Sequence, residues 1–506
     1  MNLALALATG LLLVVVQPRL SLWFLAPFAV APLLVALARE WRPKARFLLG
    51  YAAGALFWGG SCYWIHFVMS VHGKLGPWLG GFAFLLFCVI KGFHLAVFAV
   101  LAGVLIQQRY ALAAIPALWV IVERVPDPFG FMWLQLGNAG VGMGVPMRLA
   151  PVVGVYGLSF VFAMMGTAVA LLVLRRPREQ FLPLVVLPVM LLLPALPEPE
   201  TGGMTAVAVQ PNVPEVDEWT YPMFEHLTQA LDNLSLMPSL AKGMPRPKLI
   251  LWPEVPAPIY YFEDAALRER LAQMARITGA NIVIGTVAYN ERKAPLNSAV
   301  MIDPDGRAAG HYDKLYLVPF GEFIPFPFGG LVSKITNEVG DFVPGQKVVT
   351  FKTGDEKVGV FICYESAFPH LVRRFAADGA TVLANLSNDG YFGGSAAREQ
   401  HLALVRMRAA ENRRWILRAT NDGITAAIDP AGRVVETLPE YHETSGRLPF
   451  DYVHSVTLYT RLGDWFAWLC GFGALVALVV SQIPHYKPES QRPARVRQTR
   501  GSRSKG

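Results

Sequence analysis

The sequence predicts a membrane-bound protein in two parts, a multi-span α-helical membrane domain and an extracytoplasmic α/β sandwich domain. Of its 506 residues, 53% are hydrophobic and only 16% are charged, and the mean hydropathy is +0.38. Several apolar runs approach the roughly 20 residues that a helix needs to span a bilayer. Between residues 197 and 462 the chain becomes ordinarily polar, and strand-like and helix-like segments alternate. This combination argues against a purely soluble protein and favours a folded domain inserted before the last span.

The apolar runs divide the chain into four predicted regions. The apolar runs lie near residues 2–16, 22–38, 48–70, 77–105, 111–124, 152–174, 181–196 and 463–484. We therefore predict transmembrane helices over 1–196, a soluble domain over 197–462, a last transmembrane helix over 463–484 and a basic tail over 485–506. The first run lacks a basic segment before it and a small-residue cleavage site after it. It is therefore predicted to be a retained span and not a removed signal peptide.

Basic residues set the predicted orientation. With the N-terminus inside, the inside loops hold the basic stretches at 39–46 and 175–178, together with Arg109. The tail carries seven basic residues against one acidic residue, so it supplies +6 of the net charge of +8. Such a flank is typical of the cytoplasmic side of a membrane, which places residues 197–462 in the periplasm of a bacterium. Nucleic-acid binding by the tail is the weaker alternative.

Two ionisable residues, Lys91 and His94, lie near the middle of the fourth apolar run. Ionisable groups are costly in hydrocarbon, and they usually face a cavity or a partner. Glu123 and a lipid phosphate are the two candidate partners. Packing of both residues into helix contacts or against water is the alternative interpretation.

Residues 197–462 are predicted to form an α/β sandwich with a mixed sheet. Strands are predicted at 205–210, 248–252, 281–286, 298–302, 358–362, 381–386 and 424–428. Helices are predicted at 223–236, 264–278 and 395–413. The turns at 303–306 and 429–432 follow strand-like runs and predict hairpins. Functional side chains are expected at the strand ends, where loops gather.

Three reactive side chains stand at the edges of predicted core strands. Glu254 and Cys363 each follow an apolar run, and Lys314 follows a hairpin-like stretch. A thiol is a weak nucleophile at neutral pH until a base removes its proton or a cation stabilises the thiolate. Glu254 fits the base, and Lys314 fits the group that stabilises the thiolate and then the oxyanion of a tetrahedral intermediate. Together they predict covalent acyl transfer without a histidine or a metal, and no cysteine spacing suggests a disulfide framework or a zinc site.

Four sequence blocks around these residues resemble the nitrilase superfamily. They are the segments 252–254, 312–314 with 317–323, 362–365 and 387–393. With its flanking spans, the whole chain resembles the apolipoprotein N-acyltransferase family, a membrane-embedded branch of that superfamily. The segment 317–323 goes beyond the generic nitrilase pattern. The resemblance implies a nitrilase-like αββα sandwich for the periplasmic domain.

The resemblance also implies roles for individual residues. Glu254 would be the general base, Lys314 the lysine that stabilises the oxyanion, and Cys363 the nucleophile. Glu322 matches a further essential glutamate that positions Lys314 or the incoming amine.

Three more positions match residues that support activity in the family. Tyr364 and Glu365 stand beside the nucleophile, and Trp219 matches a tryptophan that the family needs. Two positions depart from the family pattern. Val255 stands where a serine often follows the glutamate, and the pair at 390–391 replaces the commoner Ala-Trp. These departures put substrate fit in doubt and leave the chemistry unchanged.

The implied reaction is a ping-pong acyl transfer between two lipid-anchored substrates. Cys363 would take an acyl chain from the sn-1 position of a phospholipid, with phosphatidylethanolamine as the expected donor, and hold it as a thioester. The α-amino group of the N-terminal diacylglyceryl cysteine of an apolipoprotein would then receive it. No cofactor, metal or nucleic acid is expected, and the protein is expected to act as a monomer in the bacterial inner membrane.

Two other interpretations stay open at this point. A membrane-tethered amidase or nitrilase would share the three reactive residues but transfer the acyl group to water. A transporter or receptor would use a periplasmic domain that has lost catalysis and only binds its ligand. The intact set of Glu254, Lys314 and Cys363 argues against the second interpretation.

Overall fold

The computed structural model describes residues 1–125, 130–198, 201–214, 219–256, 260–324 and 342–483. The basic tail predicted over 485–506 lies outside these ranges. The described chain forms an N-terminal helical part, then an α/β part made of two β-sheets with their covering helices, and then a last helix that returns to the helical part.

The helical part begins at the N-terminus and precedes the first strand. Its α-helices are α1 (Asn2–Val16), α2 (Ala31–Arg39), α3 (Pro43–Ser61), α4 (Trp64–Phe67), α5 (Gly76–Leu105), α6 (Ala111–Arg124), α7 (Ala150–Val153), α8 (Val155–Val173) and α9 (Val186–Val189). Short 3₁₀ segments cover Trp23–Phe28, Leu136–Gly140, Pro146–Leu149, Arg178–Val185 and Met190–Leu192, and a π-helical turn covers Val68–His72.

Within the described residues, α5 and α8 are long and apolar enough to cross a membrane. Shorter apolar helical stretches cover Asn2–Val16, Trp23–Arg39 and Trp465–Ser481. On α5 the large apolar side chains of Trp78, Phe82 and Leu85 are exposed. Large exposed apolar surfaces are rare on soluble domains, and they mark a surface that meets lipid or another protein.

The seventh predicted span, 181–196, is not one continuous α-helix. The chain passes there through the 3₁₀ segment Arg178–Val185, the single turn of α9 and the 3₁₀ segment Met190–Leu192. Pro183 and Pro188 explain the difference, because a proline has no N–H to donate and its ring clashes with the preceding turn. None of the residues in these three segments is buried.

The described strands form two six-stranded mixed sheets. In chain order they are β1 (Met204–Gln210), β2 (Leu249–Leu251), β3 (Asn281–Tyr289), β4 (Pro295–Ile302), β5 (Ala308–Asp313), β6 (Thr350–Thr353), β7 (Glu356–Ile362), β8 (Val382–Ser387), β9 (Ile416–Thr420), β10 (Ala426–Ile428), β11 (Val434–Thr437) and β12 (Thr444–Phe450). The first sheet has the order β12-β1-β2-β3-β4-β5, and the second has the order β11-β10-β9-β8-β7-β6. The central strands β1-β2-β3 and β7-β8-β9 run parallel, and the outer pairs are antiparallel.

All the strands predicted from the sequence are present. The antiparallel pairs β4–β5 and β10–β11 confirm the hairpins predicted at 303–306 and 429–432. β2 and β8 are buried throughout, and their apolar residues (Leu and Ile in β2; Val, Leu and Ala in β8) fit strands that are covered on both faces. β9 was not predicted because Arg418 interrupts its apolar pattern, although the whole strand is buried.

Helices cover the outer face of each sheet. α10 (Tyr221–Ser239) and α11 (Ala265–Thr278) pack on the first sheet, and α12 (Pro369–Ala377) and α13 (Ala397–Asn412) pack on the second. The αββα sandwich that the resemblance implied is therefore confirmed. The chain ends with α14 (Leu458–Leu462) and α15 (Trp465–Ser481), and α15 packs against α6.

α13 lies between the second sheet and the helical part, so polar side chains on both of its sides are buried. The side-chain oxygen of Gln400 accepts hydrogen bonds from Nε1 of Trp64 at 3.2 Å and Nε1 of Trp133 at 2.9 Å. Its amide nitrogen donates to two backbone carbonyls of the helical part. Glu411 accepts a hydrogen bond of 2.9 Å from the N–H of Val155, at the start of α8. The helical part and the α/β part therefore share a specific polar interface.

Candidate active site

Cys363 begins the 3₁₀ segment Cys363–Ala367 directly after β7. Its φ is +48°, a left-handed conformation that residues other than glycine rarely adopt. The residue is only 7% exposed. Strained backbone of this kind persists only where the surrounding structure holds it, and it is concentrated at functional sites.

Lys314 lies in a buried group with two carboxylates and one amide. Its Nζ donates to Oε1 of Glu254 and to Oε1 of Glu322, both at 3.0 Å. Nδ2 of Asn297 donates to the same two oxygens, at 2.8 Å and 2.6 Å. Burial alone would lower the pKa of Lys314, but the two carboxylates outweigh it and hold this pKa well above its usual value. The lysine is therefore charged, and both carboxylates are fixed in place.

A glycine on β3 makes room for the chain at Glu254. A Cβ atom at Gly285 would lie 2.5 Å from the carbonyl oxygen of Pro253 and 2.7 Å from Cα of Glu254, so a larger residue does not fit there. Oε2 of Glu254 accepts a hydrogen bond of 3.0 Å from the backbone N–H of Asn388. The following residue, Val255, has a φ of +35°, which is strained for a β-branched side chain.

The surroundings of Cys363 favour the neutral thiol. Burial raises the pKa of this thiol above its usual range, and the negative charge of Glu254 raises it further. Lys314 acts in the opposite direction but does not offset both effects. A thiol in this setting needs a base to remove its proton at the moment of attack.

Glu365 ties the turn after β7 to the loop after β5. Its Oε2 accepts a hydrogen bond of 2.7 Å from the N–H of Ile362. Its Oε1 accepts from the hydroxyl of Tyr312 at 2.6 Å and from the N–H of Leu315 at 2.7 Å. Burial raises the pKa of Glu365 to about 7, and these hydrogen bonds limit the rise. The side chain fixes the two strand ends relative to each other.

Tyr364 faces the helical part. Its hydroxyl donates to the carbonyl oxygen of Gly130 at 3.1 Å. Its ring stacks near the rings of Phe131 and Trp133, with centroids 6.1 Å and 6.0 Å away. A cavity of about 630 Å³ opens beside it. The cavity walls come from both parts of the chain and include Gly130, Met132, Leu315, Leu317, Phe323, Phe342, Tyr364 and Phe368.

A buried polar network lies behind Cys363. Nε2 of His401 is 3.0 Å from the carbonyl oxygen of Cys363, and it must carry the proton because that oxygen only accepts. Oδ1 of Asp389 lies 3.0 Å from Nδ1 of His401, and its Oδ2 pairs with Arg418 at 2.6 Å. Burial would raise the pKa of Asp389, but Arg418 and His401 hold it well below its usual value. The network holds the strained backbone at Cys363 from behind.

The structure places six of the seven predicted site residues in one region and leaves Trp219 apart from them. Trp219 precedes α10 and packs, half-buried, against the core of the first sheet. In the ranges that the structure describes, it makes no hydrogen bond or ring contact with Glu254, Lys314 or Cys363.

Sequence reasoning missed Asn297 and His401, and it gave Asn388 no role of its own although this residue lies in the matching block 387–393. Asn297 is a polar residue inside the apolar strand β4, which was a usable signal for a residue that faces a site. His401 carried no such signal, because the predicted helix around it is rich in polar residues. Among the described residues, no group of three His, Cys, Asp or Glu side chains could hold a metal ion, and all four cysteines are free and buried.

Two family models match this chain. The model described as "Apolipoprotein N-acyltransferase N-terminal domain" matches residues 9–168. The model described as "Carbon-nitrogen hydrolase" matches residues 206–456, which contain nearly all of both sheets.

Curated relatives match almost the whole chain. The "Apolipoprotein N-acyltransferase" of Geobacter metallireducens is 33% identical over 502 residues, covering 94% of this chain and 94% of the relative. The protein of the same name from Ralstonia nicotianae is 32% identical and covers 90% of this chain and 88% of the relative. The chain belongs to the apolipoprotein N-acyltransferase family.

Membership of the apolipoprotein N-acyltransferase family makes the chain an enzyme of the acyltransferase class and confirms the resemblance seen in its motifs. Its α/β part is the carbon–nitrogen hydrolase domain of the family. Among solved structures, an amidase from Nesterenkonia sp. is 20% identical with a TM-score of 0.38, and covers 52% of this chain and 94% of that chain. This structural likeness is too distant to carry an argument about activity.

Proposed function

We propose that this chain transfers an acyl chain from the sn-1 position of a phospholipid to the α-amino group of the N-terminal diacylglyceryl cysteine of an apolipoprotein. One observation carries the proposal. Lys314, which pairs with the buried Glu254, and Cys363 are each followed in the chain by a residue, Leu315 and Tyr364, that lines a cavity of about 630 Å³ with mostly apolar walls. This volume is typical of sites for small-molecule ligands, and its walls suit a hydrocarbon chain.

In the first half-reaction Glu254 takes the proton of the Cys363 thiol as sulfur attacks the ester carbonyl. The carbonyl oxygen becomes an oxyanion, which the Nζ of Lys314 stabilises. When the intermediate collapses, the ester C–O bond breaks and the leaving alkoxide takes the proton from Glu254. The products are a thioester on Cys363 and a lysophospholipid.

In the second half-reaction the α-amine of the acceptor attacks the thioester. Glu254 now accepts a proton from the nitrogen, and Lys314 again stabilises the oxyanion. The C–S bond breaks, an amide forms, and the thiolate recovers a proton from Glu254. Atoms and charges balance without a cofactor.

Glu322 and Asn297 have positioning roles in this proposal. Glu322 accepts a hydrogen bond from Nζ of Lys314, and Asn297 donates to both Glu254 and Glu322. Oε2 of Glu322 also accepts a hydrogen bond of 2.7 Å from the N–H of Val318. Two carboxylates around one ammonium group keep that group charged and aimed at the developing oxyanion. Trp219 has no such support from the geometry, and its role stays a prediction from the resemblance.

We place the enzyme in the bacterial inner membrane with its α/β part in the periplasm. The exposed apolar side chains of α5 and α15, among them Phe82 and Phe472, support a lipid-facing surface. The basic loops and tail support the orientation. Both proposed substrates are lipid-anchored, so a monomer with its site beside the bilayer meets them by lateral diffusion.

The intact mass of the purified enzyme after incubation with phosphatidylethanolamine tests the proposal. We expect a mass gain of one acyl chain that hydroxylamine removes. Cys363→Ala should abolish the gain, and Cys470→Ala, a matched control in α15, should keep it. Addition of a diacylated lipopeptide should discharge the enzyme to a triacylated product.

Two outcomes would contradict the proposal. Discharge to free fatty acid in the presence of the lipopeptide would indicate a hydrolase that passes the acyl group to water. Failure of the wild-type enzyme to acquire an acyl group from any phospholipid would show that the proposed first half-reaction does not occur.

A further inference from the structure

Lys91 lies in the middle of α5 and is only 5% exposed. Its Nζ donates a hydrogen bond of 2.7 Å to the backbone carbonyl oxygen of Phe131. The same ammonium group lies 4.1 Å from the centroid of the Trp58 ring and 5.5 Å from that of Phe131. A cation between aromatic faces and a carbonyl oxygen is attracted by all three groups, which offsets part of its loss of water.

One oxygen of Glu123, the acidic candidate partner of Lys91, is engaged by other donors. Oε1 of Glu123 accepts hydrogen bonds from Nε1 of Trp119 at 2.7 Å and from the N–H of Leu136 at 2.8 Å. A lipid phosphate outside the protein would need an exposed ammonium group, and Lys91 is buried. The hydrogen bond to the carbonyl oxygen of Phe131 ties Lys91 to the segment 130–133.

That segment connects Lys91 to the residue beside Cys363. The ring of Phe131 stacks at 6.1 Å from the ring of Tyr364, and the hydroxyl of Tyr364 donates to the carbonyl oxygen of Gly130. Gly130 and Met132, on either side of Phe131, line the cavity of about 630 Å³ together with Tyr364, the residue after the candidate nucleophile. Lys91 and Tyr364 thus hold the same short segment from the two parts of the chain.

The segment 130–133 has little regular structure of its own. It precedes the 3₁₀ segment Leu136–Gly140, and none of its residues belongs to a helix or a strand. Its placement therefore depends on side-chain contacts, and a charge-assisted hydrogen bond to its backbone is among the strongest available. Replacement of Lys91 by an apolar side chain would leave the Phe131 carbonyl without this donor.

We propose that Lys91 is a positioning residue that holds the segment 130–133 against Tyr364 and so fixes one wall of the acyl-donor cavity. The part of this statement that concerns the acyl donor rests on the function proposed above. Lys91 does not touch the reacting atoms; it acts through Phe131 and Tyr364.

The test compares Lys91→Met, which keeps the length but loses the charge and the donor, with Lys91→Arg, which keeps both. Leu85→Ala, at an exposed site on the same helix, is the matched control. Two quantities are measured in the full-length enzyme: the rate and apparent KM of thioester formation from phosphatidylethanolamine, and hydrogen–deuterium exchange of the backbone at 130–136. Phe131→Leu, which keeps the carbonyl but loses the ring, gives a second variant should Lys91→Met fail to fold.

We expect Lys91→Met to slow thioester formation about ten-fold, the size of effect that the loss of one charge-assisted hydrogen bond produces. Exchange at 130–136 should rise while exchange in β7 and β8 stays as in the wild type. Lys91→Arg should restore both quantities, Leu85→Ala should change neither, and Phe131→Leu should slow thioester formation with an increased KM.

Exchange at 130–136 that stays as in the wild type in Lys91→Met would overturn the proposal, as would undiminished thioester formation by that variant. Phe131→Leu with unchanged kinetics would overturn it as well. If the wild-type enzyme forms no thioester, the proposed function fails, but the exchange data still decide whether Lys91 holds the segment.

Discussion

At the scale of single residues, the neutral thiol of Cys363 explains why a carboxylate lies in the site. Lys314 alone would favour the thiolate, but Glu254 and burial outweigh it. The same carboxylate that raises the pKa of the thiol can then accept its proton during attack. In the proposed reaction the thiol would therefore stay protonated until a substrate carbonyl is in place, which would limit its reaction with other electrophiles.

We expect alkylation of Cys363 by iodoacetamide to keep accelerating with pH beyond the ordinary thiol pKa of about 8.5. The reason is that a raised pKa makes the thiolate fraction grow in a range where an ordinary thiol is already ionised. Timed labelling followed by intact mass, with Cys363→Ala as background, measures the rate at each pH. A plateau near pH 7 would instead indicate a preformed thiolate held by Lys314.

The three reactive residues could be predicted because each follows an apolar or hairpin-like run, and strand ends meet at one edge of a sheet. The balance of charge among these three residues could not be predicted, because it also depends on contacts with Glu322 and Asn297. Asn297 contacts both carboxylates from β4, a position that only the pairing of β3 with β4 defines. Sequence spacing carries no information about such a contact.

At the scale of elements, α13 does the most to organise the site. One side of the helix holds the backbone of Cys363 through His401, and another meets the helical part through Gln400. The sequence predicted a helix at 395–413 but not its burial, because its polar residues are typical of a solvent-facing helix. They are buried here because each has a partner within the protein.

Replacement of His401 by phenylalanine should slow thioester formation by roughly 100-fold, the effect of misplacing a reacting group by about 1 Å. The ring volume is kept, but the carbonyl oxygen of Cys363 loses its donor. His401→Gln keeps an N–H donor and should recover part of the rate. Glu399→Gln, at a half-buried position on the same helix, is the control for the rate and for the melting temperature.

A purely structural role for His401 would give a different pattern. Both His401 variants would then lose melting temperature in step with their rates. Equal rates in His401→Phe and the wild type would show that the backbone of Cys363 needs no support from this histidine.

At the scale of the whole molecule, the order of the parts followed from hydropathy, but the contacts between them did not. Two apolar helices of sufficient length are described, and the region at 181–196 differs from the predicted span because of its prolines. The apolar content of the sequence indicates which segments are removed from contact with water. It does not show which of their faces meet the α/β part, since that is decided by single polar residues such as Gln400 and Glu411.

Gln400→Ala should destabilise the junction of the two parts. Nε1 of Trp64 and Nε1 of Trp133 would lose their acceptor, and an unpaired buried donor costs about 1–3 kcal/mol. We expect a lower melting temperature and faster proteolysis near the junction, with Gln273→Ala on α11 as the exposed control. An unchanged melting temperature would mean that apolar packing alone holds the two parts together.

The cavity beside Tyr364 has walls from both parts of the chain. Met132 belongs to the helical part, and Leu315 and Phe368 belong to the α/β part. A chimera that joins the helical part of one relative to the α/β part of another would therefore combine cavity walls from two different proteins. On the function proposed above, the acyl-length preference of such hybrids would follow neither parent.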